Sequence, residues 1–438
     1  MSADWSFIPL TELYEIRSGL SKSSKDFGSG YPFLSFKDVF YNFFVPETLT
    51  GLVQTNERER ESCSIQRGDV FLTRTSETIN ELGMSCVALK DYEHATFNGF
   101  AKRLRPKSEV ELLPEYVGYY LRSPSFRKSM MAFSTLMSTR ASLNNEIIGR
   151  LKLLVPPRKE QEKIAHVLKT LDDKIQLNSQ INRTLEEMVQ AIFKSWFVDF
   201  GPVKAKIEAK ANCQDPERAA MCAISCKTDD ELDQLSPNQR EQLAATAALF
   251  PDELSESELG LIPWGWEVRK IEDIIKRFPV GKKYSKKTAS EQGDVPILDQ
   301  GKSGIIGYHN DKPGVTASPD EPIIVFANHT CYMRLIMHNF SAIQNVLPLK
   351  GIDFDIYWVY GATYGKQEFI EYKGHWPDFV IKKVVVPNNQ LNSKYGEYIG
   401  TFYKAIFQND LQSLSLTELR DTLLPKLLSG EIDLSQVP

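Results

Sequence analysis

Between Ile164 and Trp196 the apolar and amide positions recur in alternating steps of four and three. They are Ile164, Leu168, Leu171, Ile175, Asn178, Asn182, Leu185, Val189, Ile192 and Trp196. This is the a/d seam of a coiled coil, sustained far beyond the length of an ordinary globular helix. Pro157 suits the first turn, where a missing N–H costs nothing. No Gly or Pro follows before Gly201, so a rod on the order of 60 Å is predicted at ~1.5 Å per residue. Asn178 and Asn182 put amides in the seam, where they fix register and partner at some cost in stability.

The chain supplies a partner for this helix. A shift of 231 residues lays Val155-Pro156 on Val386-Pro387, each closing an apolar strand-like run (LKLLVPP, IKKVVVPN). The same shift carries the seam onto Tyr395, Ile399, Phe402, Ile406, Asn409, Ser413, Leu416, Arg420, Leu423 and Leu427, with Asn178 falling on Asn409. Ser413 and Arg420 are the departures. A second helix is expected from about Asn388 to Leu424, broken or kinked at Pro425. Two unrelated amphipathic helices can also be phased to agree; the matched Val-Pro pairs and the in-register Asn favour a duplicated unit.

Around the helices lie two blocks of short β-rich runs mixed with brief helices. Residues 1–155 carry YPFLSF, GDVFLTRTS and MSCVALKDY, then a helix at PEYVGYYLRS. Residues 264–386 carry DVPILDQGKSGIIGY, EPIIVFANHTCYMRLI and SAIQNVLPLK, then a helix at FDIYWVYGAT. The expected fold is α+β: two similar α/β domains and two long antiparallel coiled-coil helices, related as an internal repeat. Residues 156–203 form the central helix and 387–438 the C-terminal helix and tail. Residues 204–263 read as an acidic connector with some helix, lying outside both blocks.

Composition adds little until the charge is divided. The chain of 438 residues carries a net charge of −5, which argues against nucleic acid as a partner. Residues 204–263 alone hold 12 acidic and 6 basic residues, so both blocks are near neutral and free to carry local basic faces. The six cysteines (63, 86, 213, 222, 226 and 331) are scattered, as expected of reduced thiols, and Cys213, Cys222 and Cys226 lack a nearby fourth zinc ligand. With no long apolar run and no signal-peptide pattern, a cytoplasmic protein is expected.

A catalytic constellation is not apparent. There is no P-loop and no Asn-Pro-Pro-aromatic tetrapeptide, and the six histidines show no ligand spacing. Phe27-Gly28-Ser29-Gly30 resembles a cofactor-binding glycine turn but is one residue short. Loops suited to nucleic acid are more evident. Lys282, Lys283, Tyr284, Lys286 and Lys287 form a cationic loop with an aromatic; Lys302, Ser303, Tyr308 and Asn310 add donors. In the first block Lys22, Ser23, Lys25, Arg74, Thr75, Ser76 and Arg140 occupy comparable loops. Arg reads guanine edges, Asn adenine edges, and Ser and Thr hold phosphates. Each loop taken singly also reads as ordinary solvated surface; their recurrence in both blocks favours DNA.

LVPPRKEQEKIAHVLKTLDDKI, FKSWFVDFGPV, LAATAALFPDELSESELGLIPWGWEV and LTELRDTLLPKLLSGEI resemble the spacer helices and linker of type I restriction–modification specificity subunits, in family order. The resemblance implies two target-recognition domains, each reading half of a split DNA site, with the helices setting the spacer between halves. It implies a non-catalytic chain without cofactor of its own. Its partners would be double-stranded DNA, two methyltransferase subunits that use S-adenosylmethionine, and restriction/translocase subunits that use ATP and Mg. Two other readings stay open: a coiled-coil protein scaffold without DNA specificity, and a single-chain enzyme.

Overall fold

The computed structural model describes residues 5–75, 81–107, 111–134, 143–301, 304–432 and 435. They fall into two compact units, Met1–Leu177 with Gln412–Pro438, and Asn178–Leu411. Among the described residues the first unit has nine strands: β1 (Ser6–Pro9), β2 (Tyr14–Ser18), β3 (Phe27–Leu34), β4 (Gly51–Val53), β5 (Val70–Thr73), β6 (Ser85–Val87), β7 (Thr96–Phe97), β8 (Ala101–Pro106) and β9 (Lys152–Val155). They make a four-stranded sheet β2-β8-β5-β6, a three-stranded sheet β4-β3-β7, and the pair β1-β9. The central strand β5 is buried along its whole length, hence the unbroken apolar run Val70-Phe71-Leu72. Val70 and Leu72 face a core shared with the helix Pro114–Arg122, while Phe71 faces a second core with Leu34, Val39 and Phe97.

The second unit repeats this plan. After a hairpin of β10 (Leu254–Ser257) and β11 (Gly260–Pro263) come β12 (Glu267–Lys270), β13 (Ile275–Arg277), β14 (Val295–Leu298), β15 (Ile305–His309), β16 (Ile323–Ala327), β17 (Met333–Ile336), β18 (Ser341–Ala342), β19 (Val346–Gly351) and β20 (Lys383–Val386). The sheets are β13-β19-β16-β17, β15-β14-β18 and β12-β20, the same orders strand for strand. Even the parallel strand pair recurs, β3 with β7 and β14 with β18. β16 is again buried on both faces: Ile324 and Phe326 on one core, Ile323 and Val325 on the other. The helices begin at Arg158 and Asn389, and β9 and β20 at Lys152 and Lys383; both intervals are the 231 residues of the sequence repeat.

The long helices are Arg158–Phe197 and Asn389–Ser429, and within each unit their segments run antiparallel. In the first unit Ile164 and Leu168 share a core with Leu424, Leu427 and Leu428. In the second, Val189, Trp196 and Phe197 pack with Tyr395 and Ile399. Of the seam positions, Ile164, Leu168, Asn178, Val189, Trp196, Tyr395, Ile399, Ile406 and Leu427 are buried. Leu171, Ile175, Asn182, Leu185, Ile192, Phe402, Asn409, Leu416 and Leu423 are half-buried.

Three details differ from the sequence reading. The second helix continues through Pro425 to Ser429; burial of Leu424, Leu427 and Leu428 offsets the hydrogen bond that proline removes. The first helix ends at Phe197, and Phe200, in the left-handed region at φ 56°, starts a separate helix Gly201–Ala211. The acidic stretch 204–263 does not lie outside the folded blocks. Its helices Pro216–Ser225 and Pro237–Ala247 close over Ala220, Met221, Leu232 and Ala247, and Phe250 and Ile262, with Val203 just before the stretch, enter the core of the second unit. Among the described residues, no helix is long and apolar enough to cross a membrane.

Candidate nucleic-acid interface

Three loops meet on one face of each unit. In the first, the loop after β2 docks on the turn between β7 and β8: Leu20 bridges Asn98, and a Cβ on Gly99 would sit 2.6 Å from Ser21 Oγ. That turn in turn holds the loop after β5, where the Arg74 N–H donates to the Phe100 carbonyl at 2.7 Å. In the second unit Tyr284 bridges Ile343 after β18, and the Asn328 N–H donates to the Asn345 carbonyl at 2.9 Å. The same frame is therefore dressed with Arg74 and Phe100 in one unit and Asn328 and Asn345 in the other.

On the first face Lys25 and Arg74 are exposed and Thr75 is half-buried. Lys22 is held by Glu59 at 2.7 Å, and that interaction, the largest cause, keeps the Glu59 carboxyl below its ordinary range. The Ser23 hydroxyl donates to Asp26 at 2.9 Å and closes a short turn, which likewise holds Asp26 low. Ser76 and Arg140 lie outside the described residues. The Gly28–Gly30 segment is a bulge in β3, with Gly28 and Gly30 at φ 97° and 102° and Gly30 packed on the Val53 carbonyl. Two residues of this face were missed in the sequence. Phe100 is 63% exposed. Lys102 is bonded to Ser18 and Asn145, and its ammonium is depressed first by burial and then by the charge of Arg74. The alternation in AKRLRP, which turns Lys102 to the opposite side from Arg103 and Arg105, is the signal that could have found it.

On the second face Lys283, Lys286 and Lys287 are exposed and, among the described residues, meet no carboxylate. Lys282 differs: its ammonium reaches Asp311 at 2.6 Å and holds that carboxyl low. Tyr284 is not an exposed stacking platform. It is buried, stacked on His309 at 4.2 Å, and its hydroxyl donates to Asp311 at 2.9 Å. Burial first, and the Asp311 hydrogen bond second, push its phenol above the usual value. The tyrosine thus pins the loop and aims the three lysines outward. Tyr308 is half-buried in β15, and exposed Asn310 accepts from the Asp294 N–H at 3.0 Å. Lys302 and Ser303 lie outside the described residues.

Comparison with known proteins places this arrangement. Residues 2–187 match the family described as type I restriction modification DNA specificity domain. The chain is 27% identical to the type I restriction enzyme HindI specificity subunit of Haemophilus influenzae, over 92% of this chain and 95% of that one. It is 22% identical to the MjaIX specificity subunit of Methanocaldococcus jannaschii, over 99% and 95%. Among solved structures it resembles the type I restriction–modification system S subunit from M. genitalium, with 14% identity and a TM-score of 0.50 over 98% and 97% of the two chains. With the repeat and its two loop faces in place, the chain is similar along nearly its whole length to the specificity subunits of type I restriction–modification enzymes, and residues 2–187 match that family's DNA specificity domain.

Proposed function

We propose that each unit reads one half of an asymmetric, bipartite DNA site through its three-loop face, and that the chain performs no chemistry itself. The observation that carries this is one frame built twice with different residues on it. Shared frame implies a shared kind of ligand, and the different residues it carries, exposed Arg74 in one unit and half-buried Asn328 with its Oδ1 on the Trp376 N–H in the other, imply different half-sites. Exposed Lys25, Lys283, Lys286 and Lys287 supply the sequence-independent attraction to phosphates. The number of residues in the two long helices sets the number of unread base pairs between the halves. Methyl transfer to an extruded adenine belongs to two copies of a methyltransferase subunit that hold S-adenosylmethionine. Cleavage belongs to a restriction/translocase subunit that uses ATP and Mg.

The test is a block exchange. Residues 9–152 are replaced by the corresponding block of a relative, the chain is reconstituted with its cognate methyltransferase, and methylated adenines are mapped genome-wide. One half of the motif should change and the other persist. A change in both halves, or in neither, would overturn the reading.

A further inference from the structure

The loop between the helices Ile356–Thr363 and Trp376–Val380 is folded inside out. Its polar side chains are covered: His375 is fully buried and Gln367 nearly so. The His375 Nε2–H donates to the Glu371 carbonyl at 3.0 Å, and its Nδ1 accepts from the Gln367 amide at 3.4 Å. The large apolar side chains face water instead, with Phe369, Ile370 and Tyr372 55%, 75% and 83% exposed. Three such side chains within four residues of a pinned loop mark a contact made with another molecule.

The place where the loop is fastened indicates that molecule. The His375 N–H donates to the Asn328 carbonyl and the Trp376 N–H to Asn328 Oδ1, both at 2.8 Å. The Tyr372 ring lies 5.0 Å from the ring of His329. Asn328 is also the residue that ties the loop after β16 to Asn345, so this loop extends the three-loop face by a fourth member. It brings no net charge: Lys366 and Lys373 balance Glu368 and Glu371, and Lys373 is held by Glu371 at 3.2 Å and Asp378 at 3.3 Å. Attraction to phosphates rests with Lys283, Lys286 and Lys287, and the fourth loop adds apolar surface beside them.

We propose that Ile370 and Tyr372 form a wedge that enters the DNA stack at the edge of the half-site read by the second unit, an inference that rests on the function proposed above. Duplex DNA hides its apolar surface between stacked bases, and apolar side chains reach it by parting a base-pair step. A thymine methyl in the major groove would satisfy one such side chain, not three side by side. Buried His375 holds the loop in shape, so the tip is presented with little ordering cost on binding. Pyrimidine–purine steps part most readily, and those are the steps this loop selects.

The full chain, assembled with its methyltransferase, is bound to duplexes of its methylation motif in which 2-aminopurine replaces one base at a time. The target adenine, whose own extrusion brightens the probe, is left unlabelled. With wild type the fluorescence should rise severalfold at one step in or beside that half-site. Ile370→Ala with Tyr372→Ala should abolish the rise and weaken binding to the motif by about tenfold, the scale of one lost stacking contact. Both side chains are exposed, so the melting temperature should stay the same. No such step in wild type, or a rise that survives in the variant, overturns the wedge and leaves the two-reader function standing. A variant that assembles more weakly with the methyltransferase in the absence of DNA also overturns it, since the loop would then belong to a protein contact. A wild-type complex that shows no preference for the motif over unrelated DNA overturns the proposed function and the wedge together.

Discussion

The Asn409 side-chain amide donates to Asn182 Oδ1 at 2.8 Å, and the Asn182 amide donates in return to Asp410 Oδ1 at 2.8 Å and to the Ile406 carbonyl at 3.3 Å. The two seam asparagines thus clasp across the antiparallel helices of the second unit. A slip toward Leu185 would bring Asn409 against an apolar side chain, and on the other side Asn178 already donates to the Asn409 carbonyl at 3.3 Å, so the amides fix register.

Replacing either asparagine alone by Leu should destabilise the second unit by about 1 kcal/mol, because the other amide is deprived of a partner in a half-buried seam. Replacing both should cost less than the sum of the single changes and leave the helices tolerant of a slipped register. Urea unfolding of the four proteins in a double-mutant cycle measures the coupling.

Lys283, Lys286 and Lys287 changed together to Ala should weaken DNA binding across all sequences. The salt dependence should flatten by ~0.9 in log–log slope for each phosphate that is no longer neutralised. Lys282→Ala should act differently. It releases Asp311 and loosens the Tyr284 anchor, so its effect should appear as lower thermal stability. Equal salt-slope changes in the two variants would show that Lys282 also reaches phosphate.

Arg420→Ala should destabilise the first unit by roughly 2–4 kcal/mol, since it strands Asp172 in a largely covered site. Arg420 is only 14% exposed and Asp172 22%. The neighbouring ion pair with Asp421 is more exposed, and Asp421→Ala should cost well under ~1 kcal/mol. Thermal denaturation of the two variants separates them.

The Asp311 carboxyl is held below its ordinary value by Lys282 first and Tyr284 second. Its folded form therefore gains stability above the normal carboxylate range, and loses it as pH falls through the lowered folded value. The Tyr284–His309 stack should loosen in that acid window. Ring resonances of Tyr284 followed by NMR from about pH 6 downward report it, and Lys282→Ala should move the transition to higher pH.

Four residues inserted into each long helix, after Asn178 and at the facing position after Asn409, add about 6 Å of helix, close to two base-pair steps. The recognised bases should stay the same while the unread stretch lengthens by one or two pairs and affinity falls, since the added DNA twist must be absorbed. A methylation motif with unchanged spacing at full activity would mean that the partner subunits set the interval.

Much of this was legible because it is periodic. The seam, the Val-Pro boundaries and the apolar runs of β5 and β16 are local patterns, and the repeat ties them together over long range. The loops were read less well for a physical reason. KKYSKK looks uniformly exposed, yet Tyr284 is buried by His309 and Asp311, residues outside any window centred on the loop. The stretch 204–263 misled in the opposite sense: its Ala-rich, acidic composition conceals small residues that close a core among short helices, and Lys206 is buried against Glu217 and the Phe250 carbonyl. The alternation in AKRLRP separates Lys102 from Arg103 and Arg105, but its nearness to Arg74 comes only from the pairing of β5 with β8, and Phe100 carries no sequence signal at all.

Each reading block begins and ends in one antiparallel pair, Ser6 opposite Val155 in the first and Glu267 opposite Val386 in the second. The chain therefore enters and leaves a block through a single doorway only one strand-spacing wide, at Pro9 and Lys152 or at Lys270 and Lys383. Genetic recombination needs just two crossover points, far apart in the gene and side by side in the protein, to lift one reader out and seat another. Neither long helix has to change a residue. A cell can thus acquire a new half-target in one exchange, as a lock is rekeyed by changing the cylinder and keeping the case.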